Sequence, residues 1–178
     1  MLVRPYLPND REACLAIVGS NVPDYFLSSD RVEVASFLDS LESYGVRYYV
    51  IEDRDRIVAG GGVGVDEFLD ARMCWGMVDR TRHKRGLGRL LLFLRLLVGA
   101  SMGARTASLA TILKTAQFFE REGFLIMGGQ DNFYAPGMHR RDLFITLDGP
   151  TLHRLRRRFD KLRRGRLDLV PGILDEEW

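Results

Sequence analysis

The sequence predicts a mixed α/β fold: a twisted β-sheet of about seven strands flanked by helices, followed by a basic helical extension. Two observations carry that prediction. Along the first 149 residues the apolar positions switch repeatedly between strand and helix periodicity. The order read from them is strand, two helices, three strands, helix, strand, helix and two strands. At Gly149 the composition shifts to arginine-rich, so residues 1–149 are read as the core domain and 150–178 as an appendage. A chain of 178 residues can bury a core of its own without disulfide staples.

Taken in order, LVRPYL reads as a short strand. Asn9 or Asp10 is expected to cap a helix through EACLAIVGS, with Ala13, Leu15, Ile17 and Val18 available to the core. Ser29 or Asp30 is expected to cap a second helix, RVEVASFLDSL, which stops near Gly45. RYYVIE and RIVAGGGVGV read as two strands of a hairpin around Asp53-Arg54-Asp55. The polar DEFLD leads into a third strand, ARMCWGMV. A helix follows from Gly86 to Val98, with Leu87, Leu90, Leu91, Leu94, Leu97 and Val98 on one broad apolar face. RTASLAT is a strand, KTAQFFERE a helix ended by Gly123, and FLIMGG and DLFITL close the sheet.

The segment TLHRLRRRFDKLRRGR has eight Lys or Arg in sixteen residues, with Leu152, Leu155, Phe159 and Leu162 near helical spacing. It is read as an amphipathic helix packed on the domain or on a partner subunit, which leaves a homodimer open. The acidic tail LDLVPGILDEEW can neutralise part of its charge. A net charge of +2 gives no argument for a nucleic-acid partner, although a basic helix is able to contact one. Cys14 and Cys74 are the only cysteines and the three histidines lack ligand spacing, so neither a disulfide framework nor a metal is expected. The apolar run LLLFLRLLVGA is broken by Arg95 and too short to span a bilayer, and MLVRPYLPNDRE lacks a signal-peptide core; the expected location is cytoplasmic.

The stretch with most chemical content is His83-Lys84-Arg85-Gly86-Leu87-Gly88-Arg89 at the start of the leucine-rich helix. Amides in a helix's first turn lack partners, and the dipole attracts anions to that end. Gly86 and Gly88 allow close backbone approach, and the basic residues add charge, so a diphosphate is a natural guest. The spacing excludes a P-loop. It also excludes the dinucleotide fingerprint, because Leu91 stands where a third glycine belongs.

The same segment resembles the acyl-CoA-binding motif of the GNAT N-acetyltransferase superfamily, Gln/Arg-x-x-Gly-x-Gly/Ala, with His83 at the first position. CWGMV is similar to that family's fourth strand. LATILKTAQFFEREGF resembles its following strand and helix, and FYAPGMHRRDLFITL its closing hairpin. The resemblance covers Leu2 to Leu147. It implies acetyl-CoA as acyl donor and direct transfer of acetyl to a primary amine, on a small molecule or a peptide, in a ternary complex. It further implies that Met77 and Val78 pair with the pantetheine arm and that His83, Lys84, Arg85, Gly86, Leu87, Gly88 and Arg89 hold the pyrophosphate. Phe118 would lie along the pantetheine or the adenine side. Gly76 would permit a distortion that splays this strand from the next.

The chemistry asks for a base toward the ammonium, a donor toward the oxyanion and an outlet for the thiolate. A strand N–H near Met77 or Val78 is the candidate oxyanion donor. The family's acid tyrosine corresponds to Phe119, and the position of a glutamate base to Arg72. Glu67 and Asp70, just before the strand, and His139, in the closing hairpin, are the candidate bases; Tyr134 is the candidate acid. A GNAT-like protein that binds acyl-CoA with little turnover is the alternative, motivated by Phe119 and Arg72. Gly60, Gly61, Gly62 and Gly64 read as close packing within a strand. Trp75 reads as core or as a wall of the acceptor channel, and NVPDYF as a shaper of acceptor specificity or an anchor of the helix pair.

Overall fold

The computed structural model describes residues 1–174, and its organising element is the helix the leucine run predicts. The strands are β1 (Leu2–Pro5), β2 (Arg47–Asp53), β3 (Arg56–Val65), β4 (Asp70–Val78), β5 (Thr106–Ile112), β6 (Leu125–Ala135), β7 (Met138–Thr146) and β8 (Asp168–Leu169). The helices are α1 (Arg11–Ser20), α2 (Asp30–Leu38), α3 (Leu87–Ser101), α4 (Leu113–Glu120) and α5 (Gly149–Arg163). Every residue of α3 from Leu90 to Ala100 is buried, Arg95 included, so α3 is enclosed all round instead of on one face.

One eight-stranded sheet runs β6-β7-β5-β4-β3-β2-β1-β8. Neighbours are antiparallel except β4–β5 and β1–β8, which are parallel. The eighth strand comes from the tail, where Asp168 and Leu169 pair beside Leu2 and Val3. Strand alternation divides the core between two faces. Tyr48 and Val50 pack with Cys14, Leu15, Ile17 and Val18 of α1 and Val34 and Leu38 of α2. Tyr49 and Ile51 face α3 and α5 instead. The hairpin at Asp53-Arg54-Asp55 is present, with Arg54 and Asp55 both at positive φ as a tight two-residue turn requires.

The first two helix caps differ from expectation. Asp10 accepts two hydrogen bonds from Arg4, at 2.7 and 2.8 Å, and one from the Leu7 N–H at 2.8 Å. It thereby closes a 3₁₀ turn over Pro8–Asp10 instead of capping α1. Burial pushes its carboxyl upward, but Arg4 and the Leu7 amide outweigh that and hold it below the usual range. Asp30 likewise turns back to the Leu27 N–H at 2.8 Å, and neither Asn9 nor Ser29 caps through its side chain.

The arginine-rich segment forms α5. Asp148 caps it by accepting from the Thr151 N–H at 2.9 Å. Leu155 and Phe159 are buried against α3, while the Arg158 guanidinium lies 4.9 Å from the Phe93 ring centre. Residues 175–178, the acidic end of the tail with Trp178, lie outside the described residues. Among the described residues no helix is long and apolar enough to cross a membrane.

The approach of α3 to the sheet depends on Gly99, where a Cβ would lie 2.8 Å from that of Ala71. Gly99→Val is expected to lower the unfolding free energy by about 1–3 kcal/mol through overpacking, read by urea denaturation at unchanged slope.

Candidate cofactor slot between the fourth and fifth strands

β4 and β5 begin together and then part. They pair only at Asp70–Thr106, Ala71–Ala107 and Arg72–Ser108. Beyond that point β5 follows β7 along its whole length to Ile112–Arg140, and β4 follows β3 to Val78–Ala59. The result is a V-shaped slot, closed at Asp70 and open toward Val78. Its origin is a bulge: Gly60 faces Met77 and Gly62 faces Cys74, so Gly61 opposes both Trp75 and Gly76. Trp75 has φ +38°, which a bulky residue adopts only when its surroundings enforce it.

Three contacts enforce it. The Tyr48 hydroxyl donates to the Trp75 carbonyl at 3.1 Å, and the Phe26 ring lies 6.2 Å from the indole. From the opposite face, buried Arg95 donates to the Cys74 carbonyl at 3.3 Å and the Gly62 carbonyl at 3.4 Å. A Cβ at Gly61 would sit 3.0 Å from that guanidinium, and one at Gly76 only 2.5 Å. Gly60 and Gly62 make the same allowance for Tyr48 on the other face. Gly76 itself is exposed, so its backbone opens to the slot.

At the open end lies the loop before α3. Gly86 has φ +84° and the first intrahelical bond returns from Leu90 N to Gly86 O, leaving the amides of Leu87, Gly88 and Arg89 without helical partners. A Cβ at Gly88 would lie 3.8 Å from Val78 and 3.9 Å from Phe118, so these two side chains flank the mouth. Lys84 and Arg85 are exposed. Arg166, from beyond α5, donates to the Arg85 carbonyl at 2.8 Å and brings its guanidinium within 3.8 Å of the Cβ position at Gly86.

Several residues read from the sequence as cofactor ligands have other tasks. His83 Nε2 lies 3.0 Å from the Val78 carbonyl; a carbonyl only accepts, so Nε2 carries the hydrogen and the ring is tucked under the loop. The Asn21 amide donates to that same carbonyl at 2.9 Å, so Val78 retains only its N–H for a ligand. The Asp79 N–H bonds Val58, and strand alternation therefore turns the Met77 backbone toward β3 and that of Val78 toward the slot. Arg89 donates to buried Glu122 at 2.7 Å, and Arg158 stands 2.6 Å from the other carboxylate oxygen. Arg89 is thus tied through Nε to a buried carboxylate while its own side chain stays partly exposed.

The four catalytic candidates separate by position. Glu67 is exposed in the β3–β4 turn, and Asp70 stands at the closed end of the slot. Eight residues of strand, roughly 26 Å, separate Asp70 from Val78. Asp70 accepts from the hydroxyls of Thr106, at 2.7 Å, and Ser108, which staples β4 to β5. Arg72 pairs with Asp66 at 3.0 Å and Asp70 at 3.3 Å. Tyr134 and His139 flank the β6–β7 turn, beyond the Ile112–Arg140 pair and therefore at the open end. Burial pushes the Tyr134 phenol upward and keeps it protonated near neutrality. His139 Nδ1 accepts from the Asn132 N–H at 3.1 Å, which leaves Nε2 as its free position.

The segment NVPDYF spans the open end. Asp24 pairs with Arg80 before α3 at 2.7 Å and with Lys114 of α4 at 3.3 Å. Both cations also lie over the Tyr25 ring, at 4.8 and 4.7 Å. Phe119, where the family's acid would stand, packs its ring against Phe118 and Phe124 at 5.0 and 5.7 Å.

This architecture matches solved structures with low sequence identity. An acetyltransferase described as GNAT family, from Desulfovibrio desulfuricans, superposes with TM-score 0.71 at 20% identity, over 82% of this chain and 98% of that one. The chain has the GNAT fold. An aminoglycoside 6'-N-acetyltransferase complexed with coenzyme A matches with TM-score 0.68 at 16% identity, over 83% of this chain and 98% of the other. The ribosomal-protein-S18-alanine N-acetyltransferase from Escherichia coli matches with TM-score 0.68 at 16% identity, over 82% and 93%. No family model and no curated protein matches the sequence. Within the GNAT fold the parted strands are β4 and β5, and the loop before α3 closes their open end.

If Asp70 is a strand staple, its replacement acts on stability. Asp70→Ala is expected to cost about 1–3 kcal/mol by removing the acceptor of two hydroxyls, and to speed hydrogen exchange at Ala107 and Ser108.

Proposed function

We propose that the protein is an N-acyltransferase that moves acetyl from acetyl-CoA to a primary amine by direct attack in a ternary complex. The observation that carries the reading is the β4–β5 slot, with exposed Gly76 in its wall and the unpartnered α3 amides at its mouth. A diphosphate meets the amides of Leu87, Gly88 and Arg89 and the charges of Lys84, Arg85 and Arg166. The pantetheine arm runs between Val78 and Phe118, using the Val78 N–H. The thioester then lies at the bulge, where the strand N–H at Gly76 donates to the oxyanion. Binding both reactants across one slot removes much of the entropic barrier.

On the acceptor side, Tyr134 and His139 are the candidates whose position supports a proton-transfer role; Glu67 and Asp70 have none from the closed end. The protonated Tyr134 phenol suits the acid; with Nδ1 accepting from Asn132, neutral His139 carries its hydrogen on Nε2 and serves as a base only once that contact is released. The thiolate of CoA is already a fair leaving group, with an ordinary thiol pKa near 8.5, so the phenylalanine at 119 does not forbid turnover. The apolar setting of Phe119 supports one other reading, an acyl-CoA-binding protein with little turnover. Free thiol released from acetyl-CoA with a broad panel of amines separates the two: release above background supports transfer, and CoA binding without release supports the alternative.

Two substitutions test the mouth of the slot. Gly86→Glu is expected to abolish CoA binding by calorimetry, because it puts a side chain at positive φ and a carboxylate beside the diphosphate. Arg166→Gln is expected to weaken CoA binding on the order of tenfold at low salt and to leave S-acetylpantetheine, which has no phosphate, unaffected.

A further inference from the structure

Arg95 is a cation with no carboxylate. Its side chain is 4% exposed, and no acidic group among the described residues pairs with it. Its donors reach only carbonyls, those of Leu91, Gly62 and Cys74, at 3.3, 3.4 and 3.3 Å. Burial pulls its pKa down to about 10, which leaves it charged at neutral pH. The titratable groups facing it are Tyr48 and Cys74, and burial pushes both of those upward, so both are neutral there. An apolar side chain would fill this place without the desolvation cost. Instead two glycines, Gly61 and Gly76, leave room for the guanidinium.

What the surroundings lack is an anion, and the exposed side of Gly76 is where one forms if acetyl is transferred in the slot. We infer that Arg95 is a positioning residue of that transfer step: from beneath the bulge it fixes the Cys74 carbonyl, and its charge favours the anion that develops at Gly76. The inference rests on the acetyl-CoA reading. The geometry supports a division of labour, in which the β4 backbone touches the reacting group and Arg95 acts through it. Nothing is transferred to or from Arg95. The amine nitrogen bonds to the carbonyl carbon, the oxyanion so formed collapses, the carbon–sulfur bond breaks with the electron pair leaving on sulfur, and the amine's proton goes to a base on the acceptor side.

Arg95→Met, Arg95→Gln and Arg95→Lys test this, with CoA affinity by calorimetry and the carbonyl stretch of bound [1-13C]acetyl-CoA by difference infrared spectroscopy. The wild-type carbonyl is expected below its solution frequency, polarised by donor and charge. Met and Gln are expected to keep CoA affinity within about threefold, to return the stretch toward solution, and to lower kcat on the order of 10- to 100-fold with KM little changed. Lys, which keeps the charge, is expected to hold most of the shift. Where Met prevents folding, Gln against Lys decides. Wild-type carbonyl frequency in Gln, or equal loss in Gln and Lys, overturns the role of the charge. Failure of the wild-type protein to bind CoA overturns the acetyl-CoA reading instead, and an unshifted carbonyl on bound acetyl-CoA overturns the inference alone.

Discussion

The open end of this molecule depends on one unpaired residue. Because β4 places both Trp75 and Gly76 opposite Gly61, it bends away from β5 after only three residue pairs. An unbroken ladder would have joined the strands and left no slot. The bend frees two carbonyls from the ladder, at Cys74 and Trp75, inside a packed sheet. A buried carbonyl without a donor costs about as much as a lost hydrogen bond, so each needs one. Tyr48 supplies one from the α1–α2 face and Arg95 the other from the α3 face. Both side chains need volume next to the backbone, and the glycine run of β3 provides it. The glycines, the strained tryptophan and the buried arginine are therefore one device.

Helix α3 connects that device to the mouth of the slot. Its N-terminal amides face the loop at Gly86, and Arg95, nine residues later, lies under the bulge. At 1.5 Å per residue this is about 14 Å along a helix buried on every side. Neither end can shift without repacking the core, because close-packed interiors deform little. A ligand anchored by its phosphates would meet the bulge at a distance fixed by α3.

Much of this was legible in the sequence, and the illegible part has a common cause. Periodicity located the helices and every strand but β8, and the residue pair Arg54-Asp55 turned as a tight hairpin requires. Local motifs identified the loop at Gly86 and the weakness at Gly76, because both are properties of neighbouring residues. Roles set by distant partners were misread. Arg95 looked like an interruption of an apolar run, yet its partners lie on β3 and β4. Arg89 looked like a phosphate ligand, but Glu122 claims it, and His83 is claimed by the Val78 carbonyl. Asp70 looked poised for catalysis because it stands at the start of the strand that flanks the slot. In a strand, however, six residues from Asp70 to Gly76 are about 20 Å, and nearness in sequence to β4 is not nearness to its bulge.

The C-terminal segment carries the same lesson for charge. Its arginines suggest a solvated or polyanion-binding helix when counted, yet individual residues are tied into the fold. Arg158 meets buried Glu122, which also holds Arg89 beside the mouth. Removing either arginine would leave a buried carboxylate half compensated, a far costlier change than losing a surface pair. Past α5 the chain turns back, pairs with β1 as β8 and leaves Arg166 against the Arg85 carbonyl. The loop at Gly86 is consequently braced from a segment that begins 80 residues later, and its positive charge is partly borrowed from it. Charge counted along the sequence describes solubility; charge placed by the fold determines what the mouth of the slot can hold.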